Sequence, residues 1–333
     1  MHFVIDFFVA ILVGYLALTT SLADGLEGLF AGGDSTDSEQ AGFSFTSLPS
    51  QLGARIPDIL LQSANYQQAA VQASLETPEP GTATPLEAIV NIFCTFTTPD
   101  YIRTTTGTGF FVDTDGVILT NAHVAQFLLL EETDRFGVTD CIIRTGNPAA
   151  PSYRAELLYI PPTWVQENAD EMQKAVPIGT GERDYALLYV NRSVDASIPL
   201  PASFPALSFD TSLLSLAVRG SDIVAAGYPA TALIKNGAGT PLIPRVAETT
   251  VSELYTFGSN YADVFSIRGS VVGAEGASGG PVVNAKGEVI GMISTRGDDS
   301  VDGEGSLRAI TISHIHRTIL EETGFSLSDN LGG

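Results

Sequence analysis

Three short segments carry side chains that could act together on an acyl group. Gly276-Ala277-Ser278-Gly279-Gly280-Pro281 sets a hydroxyl among glycines. Leu119-Thr120-Asn121-Ala122-His123-Val124 sets an imidazole directly after an apolar run, and Arg183-Asp184-Tyr185-Ala186-Leu187-Leu188 sets a carboxylate ahead of another. Serine is a weak nucleophile at its own pKa and needs a base within hydrogen-bond reach. The base in turn needs a third group, usually a buried carboxylate, to hold it in one tautomer. His123 suits the base, placed by its strand and the Thr-Asn-Ala turn. His2, His314 and His316 have no such setting, and His314 and His316, two apart near a helix start, make a poor metal spacing. Asp184 suits the orienting carboxylate, because neither Asp170 nor Asp195 begins a strand with the Ala-Leu-Leu pattern. Ser278 suits the nucleophile. Glycines at 276, 279 and 280 let the chain fold tightly, so the amides of Gly276 and Ser278 can converge on an oxygen that becomes negative.

The order His, Asp, Ser along the chain is that of the chymotrypsin group; subtilisins run Asp, His, Ser and α/β-hydrolases run Ser, acid, His. Gly107-Thr108-Gly109-Phe110-Phe111-Val112, Gly116 to His123, Asp184 to Leu188, Ala226-Gly227-Tyr228-Pro229, the Ser278 loop and Gly287 to Ser294 follow one another in family order. On these segments the chain resembles the trypsin-like (chymotrypsin-fold) serine peptidases, closest to the bacterial high-temperature-requirement, or Deg, branch. The likeness runs from about residue 85 to 322. It implies an all-β fold of two six-stranded antiparallel β-barrels with a C-terminal helix. It also implies peptide-bond hydrolysis through an acyl-enzyme on Ser278, polypeptide substrates, and no metal or organic cofactor. Ser294, Thr295 and Arg296 match the edge strand that pairs with a substrate backbone. Val272 falls near the base of the primary specificity pocket. It carries no charge, which argues against Lys or Arg and for small or medium apolar side chains, unless Arg296 or Arg308 reaches inward and favours acidic ones. The first and fourth strands of the N-terminal barrel are neighbours in the family. Cys94 and Cys141 sit in the strand-like runs there, so the resemblance suggests a disulfide, with two buried free thiols as the alternative.

The chain departs from the family in two places. Many digestive relatives have Asp just before the serine, paired with a freshly cut N-terminus; here Ala277 stands there, so the loop must be ordered otherwise. The chain ends soon after its closing helix, which predicts that the peptide-binding PDZ domain common in the Deg branch is absent. Trimer formation and PDZ-driven regulation are therefore not carried over, and the oligomeric state stays open. Two rival functions use the same fold: a catalytically silent peptide-binding or envelope scaffold, and an esterase.

The elements that must hold these residues read as short β-type runs between turn residues. Asp113-Thr114-Asp115-Gly116 is a turn between two of them. Asp184 is expected to start an alternating strand through Val190. Ile198-Pro199-Leu200-Pro201 reads as the inter-barrel connection, and a second set of strands runs from Asp222 to Ile312. Ser313 is expected to cap a closing helix from His314 to about Thr323, ended by Gly324. Two stretches exceed a minimal barrel, Gln126 to Thr139 and Ile160 to Gly181. The second, with Trp164, reads as a short surface helix overhanging the cleft. Upstream, 31–40 reads as a flexible tether and 56–75 as a helix. The expected organisation is 1–23 anchor or signal peptide, 24–84 linker with a short helix, 85–197 first barrel, 198–325 second barrel and closing helix, and 326–333 tail.

The net charge of −22 over 333 residues argues against nucleic acid, whose phosphates demand clustered Lys and Arg. The apolar run from Phe3 to Leu22 would span roughly 30 Å as a helix, enough to cross a bilayer core. Its length favours a retained anchor. Ser21-Leu22-Ala23 offers a signal-peptidase site, but a basic start is missing. Either reading places the rest outside the cytoplasm, tethered to the cytoplasmic membrane or secreted.

Overall fold

The computed structural model describes residues 83–97, 102–130, 138–168, 181–236, 240–269, 272–273, 275–296 and 306–327. The apolar run 3–22, the tether and the helix expected over 56–75 lie outside the described residues. Among the described residues, no helix is long and apolar enough to cross a membrane.

After a one-turn helix α1 (Pro85–Ala88) come β1 (Ile89–Thr97), β2 (Ile102–Phe111), β3 (Val117–Thr120), β4 (Val138–Thr145), β5 (Ala150–Tyr159) and β6 (Ala186–Ser193). They close antiparallel in the order β1-β2-β3-β6-β5-β4. A second closed barrel, β10-β11-β12-β9-β8-β7, is built from β7 (Asp222–Gly227), β8 (Arg245–Tyr255), β9 (Val264–Ile267), β10 (Pro281–Val283), β11 (Val289–Arg296) and β12 (Leu307–Thr311). The chain from Val194 to Ser221 connects them without a named strand. The connection is therefore longer than the four Pro-rich residues alone.

The strand expected from Asp184 begins at Ala186 instead, and Ala186 to Val190 are all buried rather than alternating. The reason is that both of its faces are covered. Ala186, Leu188 and Val190 point into the first barrel. Tyr185, Leu187 and Tyr189 join a layer shared with Tyr228, Met292 and Ile312 of the second. A strand buried on both faces has no polar face to show. β3 is used in the same way, with Ile118 on one side and Val117 and Leu119 on the other.

The short surface helix expected after Ile160 is present, with Thr163 and Gln166 exposed and its other face packed inward. It spans Pro162–Glu167, and Trp164 and Val165 are buried in the apolar cluster of the first barrel. Tryptophan gains too much from burial to be left on a surface turn. The remainder of that insertion, 169–180, and residues 131–137 of the first one lie outside the described residues.

Cys94 and Cys141 are direct register partners across β1 and β4, and their sulfurs are joined at 2.10 Å. The bridge ties the two strands that close the first barrel. It spans 47 positions, a loop for which chain entropy gives about 4 kcal/mol.

The closing helix (Ile312–Thr323) is capped by Thr311, whose hydroxyl accepts from the His314 amide at 3.1 Å. Ser313, the expected cap, lies inside the first turn, and its hydroxyl bonds to that of Thr311. Gly324, at φ 74, ends the helix with a left-handed residue. Ile312, Ile315 and Ile319 are buried in the inter-barrel layer. At about 1.5–3 kcal/mol each, they dock the helix firmly.

Beside that apolar face, Asp263 is fully buried and receives His314 Nδ1 at 3.1 Å and Arg317 at 2.7 Å on one oxygen. The hydroxyls of Ser259 and Thr256 and the Phe257 amide donate to the other. Burial by itself would raise this carboxyl, but these donors, with His314, overcome it and hold the group at about 2. His314 is held below its ordinary value, because desolvation outweighs the Asp263 carboxylate.

Both shifts make acid destabilising. Asp263 contributes stability above the unfolded carboxyl value of about 4, lost as pH falls toward about 2. A neutral buried His314 contributes stability that starts to fall below about 6.5, where the unfolded chain takes up the proton first. Urea titrations at pH 7 and pH 5 are expected to show a smaller loss of stability in His314→Gln than in the natural chain. Equal losses would show that His314 does not carry this dependence.

Candidate active site

The three side chains singled out from the sequence come from both barrels. β3 ends at Thr120 and runs at once into the one-turn helix α2 (Ala122–Ala125), which carries His123. Asn121 stands between them in extended conformation. Asp184 sits two residues before β6 begins, and Ser278 lies in the loop before β10. β3 pairs with β6, which brings the His and Asp segments together.

Asp184 has no exposed surface, and His123 is 6% exposed. His123 Nδ1 lies 2.8 Å from Asp184 Oδ2 and 3.1 Å from Oδ1, and the His123 amide donates to Oδ1 at 3.0 Å. The hydroxyl of Ser294, on β11 of the second barrel, donates to Oδ2 at 2.8 Å. Both carboxylate oxygens are therefore occupied by donors, as a buried charge requires. The carboxylate holds the proton on Nδ1 and leaves Nε2 as an acceptor. The backbone around the pair is tied as well: Asn121 Nδ2 donates to the Asp184 carbonyl at 2.8 Å, and Gln126 Nε2 to the His123 carbonyl at 2.8 Å.

Ser278 is half-buried, and its Oγ donates to the Ser294 carbonyl at 3.2 Å. Among the described residues there is no hydrogen bond from that Oγ to the His123 ring; Ser294 instead links Ser278, through its carbonyl, to Asp184, through its hydroxyl. Catalytic hydrogen bonds commonly tighten only when substrate is bound.

The loop that carries Ser278 can be made only with glycine at its tightest points. Gly279 sits at φ 87, and a Cβ there would lie 1.9 Å from the Thr108 carbonyl. Gly276, at φ 83, would meet the Tyr228 carbonyl at 2.5 Å. Among the described residues, neither the Gly276 amide nor the Ser278 amide is claimed by a protein acceptor. Two free donors two residues apart, next to a hydroxyl, suit an oxyanion.

Ala277, where many relatives have an ionised aspartate, is fully buried in the apolar core of the second barrel. Order comes instead from Thr108 on β2. Its amide donates to the Ser278 carbonyl at 2.8 Å and its hydroxyl to the Gly276 carbonyl at 2.6 Å. The same hydroxyl accepts from the Tyr228 amide at 2.9 Å, and the Thr108 carbonyl accepts from Thr120 at 2.7 Å. A residue of the first barrel thus holds the serine loop of the second.

Sequence reasoning named Ser294 for its backbone and missed its hydroxyl. It also missed the roles of Thr108, Asn121 and Gln126. Gly107-Thr108-Gly109 was visible as a motif, but the contact it makes spans 168 positions. Nothing local signals such a contact. Thr295 and Arg296 do form an edge of β11, pairing with Arg308 and Leu307 on the other side; the Arg296 side chain lies outside the described part. Val272 is fully buried in the same cluster as Ala277, and residues 270, 271 and 274 around it lie outside the described residues. Arg308 lies over the Tyr255 ring at 4.7 Å.

Comparison with known proteins gives one family. The model of the trypsin-like peptidase domain matches residues 107–292. No curated protein sequence gives a match. Among solved structures, the active form of the Rv3671c protease from M. tuberculosis aligns at 19% identity and a TM-score of 0.41, covering 73% of this chain and 83% of that one. The inactive form of Rv3671c protease aligns at 20% identity and the same TM-score, covering 73% and 91%.

The Thr108 clasp can be tested without touching the three candidate residues. Thr108→Val leaves the Gly276 carbonyl and the Tyr228 amide without their hydroxyl partner, whereas Thr108→Ser keeps it. Labelling of Ser278 by a fluorophosphonate is expected to slow by about tenfold or more in the valine variant and to stay near the natural rate in the serine variant. Equal rates in both would show that the loop is ordered without this hydroxyl.

Proposed function

This chain belongs to the trypsin-like peptidase domain family, and from that premise we propose that it is a serine endopeptidase working through Ser278, His123 and Asp184. The observation that carries the proposal is the buried Asp184–His123 pair, saturated with donors from both barrels and set beside a serine flanked by two unclaimed amides. In this mechanism Ser278 Oγ turns from the Ser294 carbonyl toward His123. Nε2 takes its proton as Oγ bonds to the scissile carbonyl carbon. The carbonyl oxygen, now negative, is met by the amides of Gly276 and Ser278. Collapse breaks the C–N bond, and Nε2 returns the proton to the leaving amine. Water then attacks the acyl-enzyme by the same route in reverse, with His123 again as base. Asp184 is not protonated at any step; it stabilises the imidazolium and holds its orientation.

The six motif segments support placement near the Deg branch. The stretch Ser294 to Arg296 of β11 would take the substrate as an added strand, which asks little of its sequence. The uncharged Val272 favours a small or medium apolar residue before the cut. A catalytically silent peptide-binding scaffold draws on one observation, the present engagement of Ser278 Oγ with the Ser294 carbonyl. For location, the apolar run 3–22 supports a chain held on the outer face of the cytoplasmic membrane, acting there on polypeptides.

A fluorophosphonate probe is expected to modify the natural chain on Ser278 and not Ser278→Ala. Cleavage of an unfolded protein is expected to fall by about a million-fold in that variant. A natural chain that neither reacts nor cleaves would leave the scaffold reading standing, and turnover of simple esters alone would favour an esterase. The mass of the N-terminal peptide from exported protein is expected to include residues 3–22; a start just after Ala23 would replace the anchor with a cleaved signal.

A further inference from the structure

Asp184 is held by more than its own side chain. The residue before it, Arg183, has φ 58, the one non-glycine residue in the left-handed region among the described residues. An L side chain there crowds its own backbone and persists only where the surroundings enforce it. The turn is tight on both sides: the Asp184 amide donates to the Gly181 carbonyl at 3.2 Å, and the Tyr185 amide to the Arg183 carbonyl at 2.9 Å. The direction of the Asp184 side chain is set by this turn.

Both neighbours of Asp184 are gripped by the closing helix. Arg183 Nε lies 2.5 Å from Glu322 Oε1, and the Tyr185 hydroxyl donates to Thr318 Oγ1 at 2.7 Å. Thr318 and Glu322 are four residues apart, one turn along a single helix face. Glu322 is itself aimed, since its other oxygen accepts from the Tyr159 hydroxyl of β5 at 2.6 Å. Thr318 is aimed too, donating to the carbonyls of His314 and Ile315 in the turn before it. Burial raises both phenols well above their ordinary range, so Tyr159 and Tyr185 remain neutral donors. The helix follows the last strand of the second barrel, while Asp184 belongs to the first.

We propose that Glu322 and Thr318 are positioning residues for the proposed reaction. They hold Arg183 and Tyr185 from the second barrel, impose the left-handed turn, and so place the Asp184 carboxylate under His123. This inference rests on the reading of Asp184 as the orienting carboxylate. It makes the closing helix part of the apparatus rather than a lid on the core.

The test uses the full chain and four variants: Glu322→Gln, Thr318→Val, Glu321→Gln as an exposed control on the same helix, and Glu322→Gln combined with Arg183→Gly. Two signals are followed, the fluorophosphonate labelling rate at Ser278 and the low-field NMR resonance of the His123 Nδ1 proton. Glu322→Gln is expected to slow labelling by about 10- to 100-fold, the scale of a small misplacement, and to shift or broaden the proton signal while the cooperative melt persists. Thr318→Val should act in the same direction, and Glu321→Gln should leave both signals unchanged. Adding Arg183→Gly to Glu322→Gln should recover part of the rate, because glycine adopts the turn without help. Natural rates and an unmoved proton signal in Glu322→Gln would overturn the inference. Should that variant fail to fold, the same result in Thr318→Val would do so. A loss that Arg183→Gly does not relieve would also overturn it. An unlabelled natural chain would instead remove the peptidase reading, and the proton signal, which needs no turnover, would still decide this one.

Discussion

The arrangement depends on supplying hydrogen-bond donors to one carboxyl group, that of Asp184, which has no access to water. Removing a partner from a buried charge costs about 3–5 kcal/mol, so the Asp184 site exists only while its donors stay in place. Those donors are the ring and amide of His123 from the first barrel and the hydroxyl of Ser294 from the second. The group's donors thus come from both barrels. The requirement therefore couples the packing of two domains to the tautomer of one imidazole. It also explains why the apolar layer between the barrels, from Tyr185 and Leu187 to Met292 and Ile319, bears on chemistry as well as on stability.

The serine loop meets a second constraint with different means. Its glycines allow backbone to approach backbone at distances no Cβ tolerates, but permissive residues do not order themselves. Thr108 supplies the order by tying the carbonyls on either side of Ala277. Buried Ala277 then needs no charged partner. A hydroxyl and an amide from the opposite barrel replace an ion pair, at the cost of making the loop dependent on inter-barrel contact.

The molecule also contains a second buried histidine–carboxylate pair, His314 with Asp263, which serves as a contrast. Residue types and Nδ1 geometry are alike, yet Asp263 also accepts from Arg317, Ser259, Thr256 and the Phe257 amide. Among the described residues, the His314 Nε2 is buried with no hydrogen-bond partner. There the pair anchors the start of a helix. What distinguishes the His123 pair is the Ser294 hydroxyl of the second barrel on its carboxylate, from a residue whose carbonyl also accepts from Ser278, a property of tertiary packing.

Much of this was legible in the residues. Ser278, His123 and Asp184 stood out because glycine spacing, an apolar strand ending in a turn, and an Ala-Leu-Leu run are local patterns with local physical causes. A closing helix ended by Gly324 follows from the same kind of signal, whereas the division into two barrels was implied by the family resemblance. The cap at Thr311 rather than Ser313, the burial of Trp164, and the loss of alternation in β6 were not legible. Each depends on which surface comes to lie against another, and alternation fails wherever a strand is covered on both sides. The Thr108 clasp and the Arg183–Glu322 contact join residues far apart in the chain. The kinds of chemical group available are thus a property of the sequence alone. Which hydroxyl reaches which carboxylate was decided only by the fold, because hydrogen bonds act over about 3 Å and only packing brings distant segments that close.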